Sequence, residues 1–183
     1  MEVRRAHVAQ KALLETLLEK YLYELSFFEG ERFGEDGTFG YPYLAVYWQE
    51  EGRHPYLLYA DGRLSGLCLV NRIPAADAPL DHAVAEFFVA PPDRRQGAAS
   101  AAIAQVFARH PGAWQIAFHE KNAPAAAFWR RAARTHACPA CSAFPRPEPA
   151  KRRAPPVLWR SATFRLFVPP IVFCYTGPKE SFP

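Results

Sequence analysis

The residues best equipped for chemistry are Arg94-Arg95-Gln96-Gly97-Ala98-Ala99. They stand where an apolar run, Glu86-Phe87-Phe88-Val89, gives way to a helix-forming stretch. At a helix start, several backbone N–H groups lack intrahelical partners and can converge on one anion. Gly97 lets the backbone approach closely, and Ala98 and Ala99 keep the next turn small. Arg94 and Arg95 add charge-assisted donors suited to phosphate. Taken alone, such a loop is more often a plain helix start with two solvated arginines.

The surrounding elements must position it. Val3–Ala6 reads as a short first strand. Leu14, Leu17, Leu18, Tyr21, Leu22 and Leu25 recur at helical spacing, giving an amphipathic helix over about 8–28 whose stripe reads as core packing. Residues 29–43 carry four of the ten glycines and several aromatics, which reads as a loop, and a second short helix follows at Leu44–Trp48. Tyr56–Ala60 and Arg63–Val70, joined by Asp61-Gly62, form the strongest hairpin signal. Pro74–Pro79 reads as a loop, His82–Val89 as a buried strand, Gln96–Arg109 as a helix, Trp114–Phe118 as a strand and Pro124–Ala133 as a helix.

About 25 residues beyond the loop comes Asn122-x-x-Ala125-x-x-Phe128-Trp129. With this second pattern the sequence resembles the GNAT N-acyltransferase superfamily. Arg94, Gly97 and Ala99 match its Arg/Gln-x-x-Gly-x-Gly/Ala pyrophosphate motif, and Asn122, Ala125 and Phe128 match its second-helix pattern. The order of elements agrees from residue 3 to about 132. The resemblance is closest to a branch of predicted bacterial acetyltransferases, through Tyr47-Trp48, Gly52–Leu58, Asp61–Val70 and Ala85–Val89. Each motif is weak alone; their order and spacing carry the resemblance.

The resemblance implies an α/β fold of the GNAT type, a mixed central sheet with flanking helices that splays between the His82–Val89 and Trp114–Phe118 strands. Acyl-coenzyme A would lie in that split. Backbone groups of Phe88, Val89 and Ala90 would pair with the pantetheine arm like an added strand. Arg94 and Arg95, with the N–H groups of Gln96, Gly97, Ala98, Ala99 and Ser100, would hold the pyrophosphate. Asn122, Ala125, Phe128 and Trp129 would pack against the pantetheine end and thioester. The implied reaction is acetyl transfer from acetyl-coenzyme A to a primary amine of a small molecule or peptide, with no metal.

An amine of pKa near ~10 must shed a proton to attack, so a general base or a water relay helps. Glu86 is the base candidate, being a carboxylate just before the expected break in the strand; its other reading is a strand residue facing polar surroundings. His82 and His119 are weaker candidates. The oxyanion needs a donor, for which a backbone N–H near Val89 is placed. Many family members carry Tyr where this chain has Trp129, and an indole cannot protonate a leaving thiolate. Tyr41, Tyr43 or Tyr47 could serve instead. A thiol of pKa near ~8.5 also leaves fairly well unaided. The aromatic loop, with Phe33, Phe39, Tyr41, Tyr43, Tyr47 and Trp48, is where the family admits its acceptor. Glu31, Glu35 and Asp36 there would favour a cationic amine.

Composition bounds the rest. The chain has 183 residues, half of them apolar, enough for one domain with a real core. Residues 1–132 carry 14 Lys+Arg against 16 Asp+Glu, whereas 133–183 carry 8 against 2. The basic balance belongs to the C-terminal segment, so the body lacks a nucleic-acid-like excess. No apolar run approaches the ~20 residues of a membrane span. A cytoplasmic protein with reduced thiols is expected.

Residues 1–133 thus read as the catalytic core, and 134–183 as a divergent, Pro-rich basic segment. Ten of the 18 prolines and three of the four cysteines fall there. Val157–Val168 and Ile171–Thr176 read as two terminal strands, a region that often pairs between family subunits, so a homodimer is possible. The break near residue 133 fits either sharp divergence or a change of reading frame. His136-x-Cys138-x-x-Cys141 and Lys151-Arg152-Arg153 invite zinc or nucleic-acid readings. A missing second ligand pair and a short basic run argue against both. Three functions stay open: N-acetyltransferase, a non-catalytic acyl-coenzyme A binder, or an adaptor acting through that segment.

Overall fold

The computed structural model describes residues 1–73, 80–119, 121–137 and, as backbone, 171–175. The expectations for Pro74–Pro79, Cys138 and Cys141, Lys151–Arg153 and Val157–Val168 lie outside these residues.

The described residues form a six-stranded sheet in chain order: β1 (Glu2–Arg5), β2 (His54–Ala60), β3 (Arg63–Asn71), β4 (His82–Val89), β5 (Gly112–Ile116) and β6 (Ile171–Tyr175). All neighbours are antiparallel except β4 and β5, which run parallel around a helical crossover. Three helices flank it: α1 (Lys11–Glu29), α2 (Ala98–Arg109) and α3 (Ala123–His136).

Alternation along the strands feeds two cores. Tyr56, Leu58, Cys68 and Val70 pack with Ile103, Phe107, Trp114 and Trp129 beneath α2 and α3. Leu57, Leu67 and Leu69 pack with Leu14, Leu18, Leu44 and Tyr47 beneath α1. The expected hairpin is present: Ala60 pairs with Arg63, and Asp61 and Gly62 take φ 49° and 76°. A two-residue turn that matches strand twist needs positive φ at both positions.

Five elements differ from the sequence reading. The first helix begins at Lys11, because Val8–Gln10 forms a separate 3-10 turn. The short element at Ala45–Trp48 is also 3-10. α2 begins at Ala98 and not at Gln96, since Arg95 (φ 63°) and Gly97 (φ 80°) take left-handed conformations that a helix cannot contain. The fifth strand occupies Gly112–Ile116, two residues earlier than Trp114–Phe118, and stops where its pairing with β4 stops. α3 runs on to His136.

Candidate active site between β4 and β5

β4 and β5 pair only at His82–Trp114, Ala83–Gln115 and Val84–Ile116. β4 then continues to Val89 while β5 ends, so the sheet opens into a wedge. The register between β3 and β4 breaks at the same level: Leu69 faces Glu86, yet Val70 faces Val84. Ala85 is the extra residue of a β-bulge. A bulge places two successive side chains on one face and re-aims them. Ala85 therefore joins the α1-side core, and Glu86 turns toward Tyr21 and Tyr41, whose hydroxyls donate to its carboxylate. Phe87 goes to the opposite face, stacked on Phe128 at 5.8 Å and edge-on to Trp129 at 5.2 Å.

A cleft of about 210 Å³ fills the wedge. Tyr21, Glu24 and Phe28 of α1, Phe88 and Val89 of β4, Arg94, Ala99, and Asn122, Ala125, Phe128 and Trp129 of α3 line it. A smaller cleft of about 100 Å³ adjoins it toward the closed end, lined among others by Glu29, Phe118 and His119. Tyr21, Asn122, Ala125 and Trp129 line both.

The backbone edge of β4 is directional. The Ala90 N–H donates to Ser65 O on β3 at 2.6 Å. Alternate residues of an antiparallel strand point their amides to opposite sides, so the Val89 groups face the cleft, whereas the Phe88 and Ala90 groups, expected to pair with a pantetheine arm, face β3 instead. The Val89 carbonyl accepts from Arg94 Nε at 2.6 Å. The Arg94 guanidinium also pairs with the Glu24 carboxylate at 2.7 and 2.9 Å and lies 5.5 Å from the Phe88 ring.

At α2 the first intrahelical bond is Ala101 N–H to Gly97 O at 2.9 Å, and Gly97 offers no capping side chain. The N–H groups of Ala98, Ala99 and Ser100 precede the ladder and point out of the helix end. A Cβ on Gly97 would meet nothing within 4 Å, so its glycine is demanded by left-handed backbone. Gln96 instead bonds Pro92 O through its side chain at 3.1 Å. At α3, Asn122 Oδ1 caps the helix by accepting from the Ala125 N–H at 3.2 Å.

Glu86 is only 8% exposed. Burial raises its pKa to about 7, opposed by the donated Tyr21 and Tyr41 hydrogen bonds and reinforced by Glu29. Glu29 is itself raised to about 7 by burial and then by Glu31. Burial also drives the Tyr21, Tyr41 and Tyr47 hydroxyls well above their ordinary range.

The glycine-rich loop is stapled to α1. Glu19 accepts the N–H groups of Phe39 and Gly40, each at 2.8 Å, and this delivers Tyr41 to Glu86. Asp36 is engaged in its own turn, accepting from Thr38 N at 3.0 Å. Trp48 Nε1 is bonded to Ala6 O at 3.0 Å, and Tyr47 is buried in the core. Of the two histidine candidates, His119 lines the smaller cleft. His82 sits instead in a cluster with His54 and His110.

Tyr21, Glu19 and Glu29 were not singled out from the sequence. Tyr21 falls in the apolar stripe of α1 and reads there as core. Glu19 lies on the polar face of the helix, and Glu29 falls at the start of the stretch that reads as a loop, where charged residues are unremarkable. Among the described residues no group of His, Cys, Asp and Glu is arranged to hold a metal ion, and no helix is long and apolar enough to cross a membrane.

Residues 12–133 match the family model of the Acetyltransferase (GNAT) family, about two thirds of the chain. The chain belongs to this family. No curated protein matches the sequence. Among solved structures, a mutant of the BH1408 protein from Bacillus halodurans superposes with TM-score 0.58 at 14% identity, covering 86% of this chain and 100% of that one. A GNAT-family acetyltransferase from Staphylococcus aureus Mu50 gives 0.53 at 14% identity, covering 72% and 82%. An aminoglycoside antibiotic 6'-N-acetyltransferase from Acinetobacter haemolyticus gives 0.52 at 16% identity, covering 85% and 98%. At these identities the likeness is one of fold.

Proposed function

We propose that this protein transfers an acetyl group from acetyl-coenzyme A to a primary amine. The observation that carries the reading is the opened wedge beside β4, with an uncapped helix N-terminus at its mouth. A pantetheine arm is amide-bearing and rod-like, and matches a strand edge whose Val89 groups face the cleft. A diphosphate matches the N–H groups of Ala98, Ala99 and Ser100 with Arg94 and Arg95 beside them. Phe88, Ala90, Gln96 and Gly97 shape that path. Asn122, Ala125, Phe128 and Trp129 form the wall against the thioester end.

The acceptor amine attacks the thioester carbonyl, the C–N bond forms, and the C–S bond breaks. Glu86 is the proton acceptor. A carboxyl held near pH 7 is balanced between taking up a proton and returning it. Glu29 at the smaller cleft supports a cationic acceptor entering from that end. The enzyme from Acinetobacter haemolyticus, named for an aminoglycoside, shares the fold and makes polycationic amines sensible members of a test panel.

The test is thiol release from acetyl-coenzyme A with a polyamine, an aminoglycoside, an amino acid and a peptide N-terminus as acceptors. Turnover with at least one amine is expected. Trp129 at the family's usual tyrosine position favours a second reading, a non-catalytic acyl-coenzyme A binder. Tight coenzyme A binding without turnover on any amine would establish that reading instead.

A further inference from the structure

Glu86 is held beside the cleft without lining it. Tyr21 lines both clefts, and its hydroxyl donates to Glu86. Tyr41, the other hydroxyl on that carboxylate, lines neither, and Tyr43 and Tyr47 line neither. Among the described residues, Tyr21 is therefore the hydroxyl that stands between the buried carboxylate and these two clefts, where a thioester would lie. Trp129, across the cleft, offers no acid there.

Resting on the acetyl-transfer reading above, we propose that Tyr21 is a catalytic residue that carries protons in both directions between Glu86 and the reacting atoms. As the amine nitrogen bonds to the thioester carbon, its surplus proton passes to Tyr21 Oη, and the Tyr21 hydroxyl proton passes to a Glu86 carboxylate oxygen. As the C–S bond breaks, Glu86 returns that proton to Tyr21 Oη, and Tyr21 gives its own to the departing sulfur. The products are the acetamide and the free thiol. Glu86 and Tyr21 end as they began, so the cycle needs no further reactant. One hydroxyl can serve both stages because the nitrogen and the sulfur are bonded to the same carbon in the tetrahedral adduct.

The groups that set the relay come from each element packed around it. Tyr21 and Glu29 lie on α1, Tyr41 on the glycine-rich loop, and Cys68 on β3. Tyr21 is further oriented by the Phe88 ring, 6.1 Å away. Return of the proton is favourable, because a carboxyl near pH 7 is a stronger acid than a thiol of pKa near ~8.5.

The experiment compares wild type, Tyr21→Phe, Glu86→Gln and the double variant, using acetyl-coenzyme A and an amine from the panel that wild type acetylates. Calorimetric titration with coenzyme A serves as the fold control, and Tyr21→Phe should match wild type within about twofold. Its kcat should fall roughly 100-fold or more, the usual weight of a positioned acid–base group. The acid limb of the pH–rate profile should disappear with it. The double variant should be no slower than the slower single variant, as for residues that act as one unit. Wild-type rate and pH profile in Tyr21→Phe, or multiplying losses in the double variant, would overturn the relay and leave acetyl transfer standing. A wild type that acetylates no amine would overturn acetyl transfer itself, and the relay with it.

Discussion

Arg94 Nη2 lies 2.7 Å from Glu24 Oε2, so the loop that opens α2 is tied to α1 across the mouth of the cleft. The same guanidinium holds the Val89 carbonyl. Arg94 thus already contacts one backbone group that a pantetheine arm would approach, and a carboxylate that competes with phosphate for it. Both side chains are more than a third exposed, at 40% and 35%, so the ion pair contributes at most about 1 kcal/mol to stability. Arg94→Ala should leave the melting temperature nearly unchanged and weaken coenzyme A binding about tenfold, the weight of one charge-assisted contact. Glu24→Gln, which frees the guanidinium, should bind at least as tightly as wild type. Calorimetry on both variants checks this, and equal weakening in the two would show that the strap itself is what the ligand needs.

The rate should depend on Glu86 ionisation. Its carboxyl is held near pH 7 mainly by burial, and only the ionised form can accept a proton. With a working amine, kcat/KM should therefore fall about tenfold per pH unit below roughly 7. Glu86→Gln should lower the rate, abolish that limb and leave coenzyme A affinity alone. For stability the sign is opposite. A carboxyl raised in the folded state contributes stability that is full below its ordinary value and is lost as pH rises through about 7. Glu86→Gln should accordingly raise the melting temperature at pH 8 relative to wild type more than it does at pH 4.

Gly66 is required by its neighbours. A Cβ there would overlap the Phe88 carbonyl oxygen and sit 2.9 Å from the Phe88 carbonyl carbon. That carbonyl belongs to the β4 segment that forms the cleft wall. Gly66→Ala should destabilise the fold by about 3 kcal/mol, at the upper end for overpacking. Urea unfolding measures it, and an unchanged midpoint would mean that β3 and β4 yield there at no cost.

These residues show what a sequence can and cannot announce. The Asp61-Gly62 turn, the β4 run and the Gly97 loop are local signals, since each depends on backbone preferences that neighbouring residues express. The order of elements followed from them. The bulge at Ala85 left no such mark, because it arises from pairing with β3, and it alone turns Glu86 toward α1. Tyr21 was hidden for a related reason. A tyrosine on an apolar helical stripe has the same pattern whether it fills a core or lines a cleft, and only the wedge between β4 and β5 separates the two. Asp36, which reads as an acceptor-attracting charge, is spent on Thr38.

A three-histidine cluster sets a different pH response. The His54 and His110 rings lie 4.3 Å apart, His82 is 5.1 Å from His110, and Tyr56 Oη is 2.6 Å from His110 Nε2. Burial lowers His54 and His110 to about 4, helped by Arg5 and His82 at both and by His54 at His110, and His82 is lowered too. Arg72 and Arg109 add to the positive surroundings, and Asp81 opposes them at His82. A histidine depressed in the folded state must take up protons on unfolding, so stability is lost as pH falls from about 6.5 to about 4. The melting temperature should drop across that window, and His110→Phe should flatten the drop. An unaltered slope in that variant would count against the cluster as its source.

The wedge as an acyl-coenzyme A site is the claim on which the rest depends, and titration of coenzyme A into wild type and Gly97→Asp tests it most directly. Gly97 stands at φ 80° with open space where a Cβ would project, at the N-cap of α2. An aspartate there sets a carboxylate against the diphosphate. Strain from left-handed backbone costs about 1–2 kcal/mol, which should leave the protein folded. Wild type should bind with a single site per chain, and Gly97→Asp, folded by circular dichroism, should show at least a hundredfold loss. Equal affinity in the two proteins would contradict the assignment of the wedge and its loop.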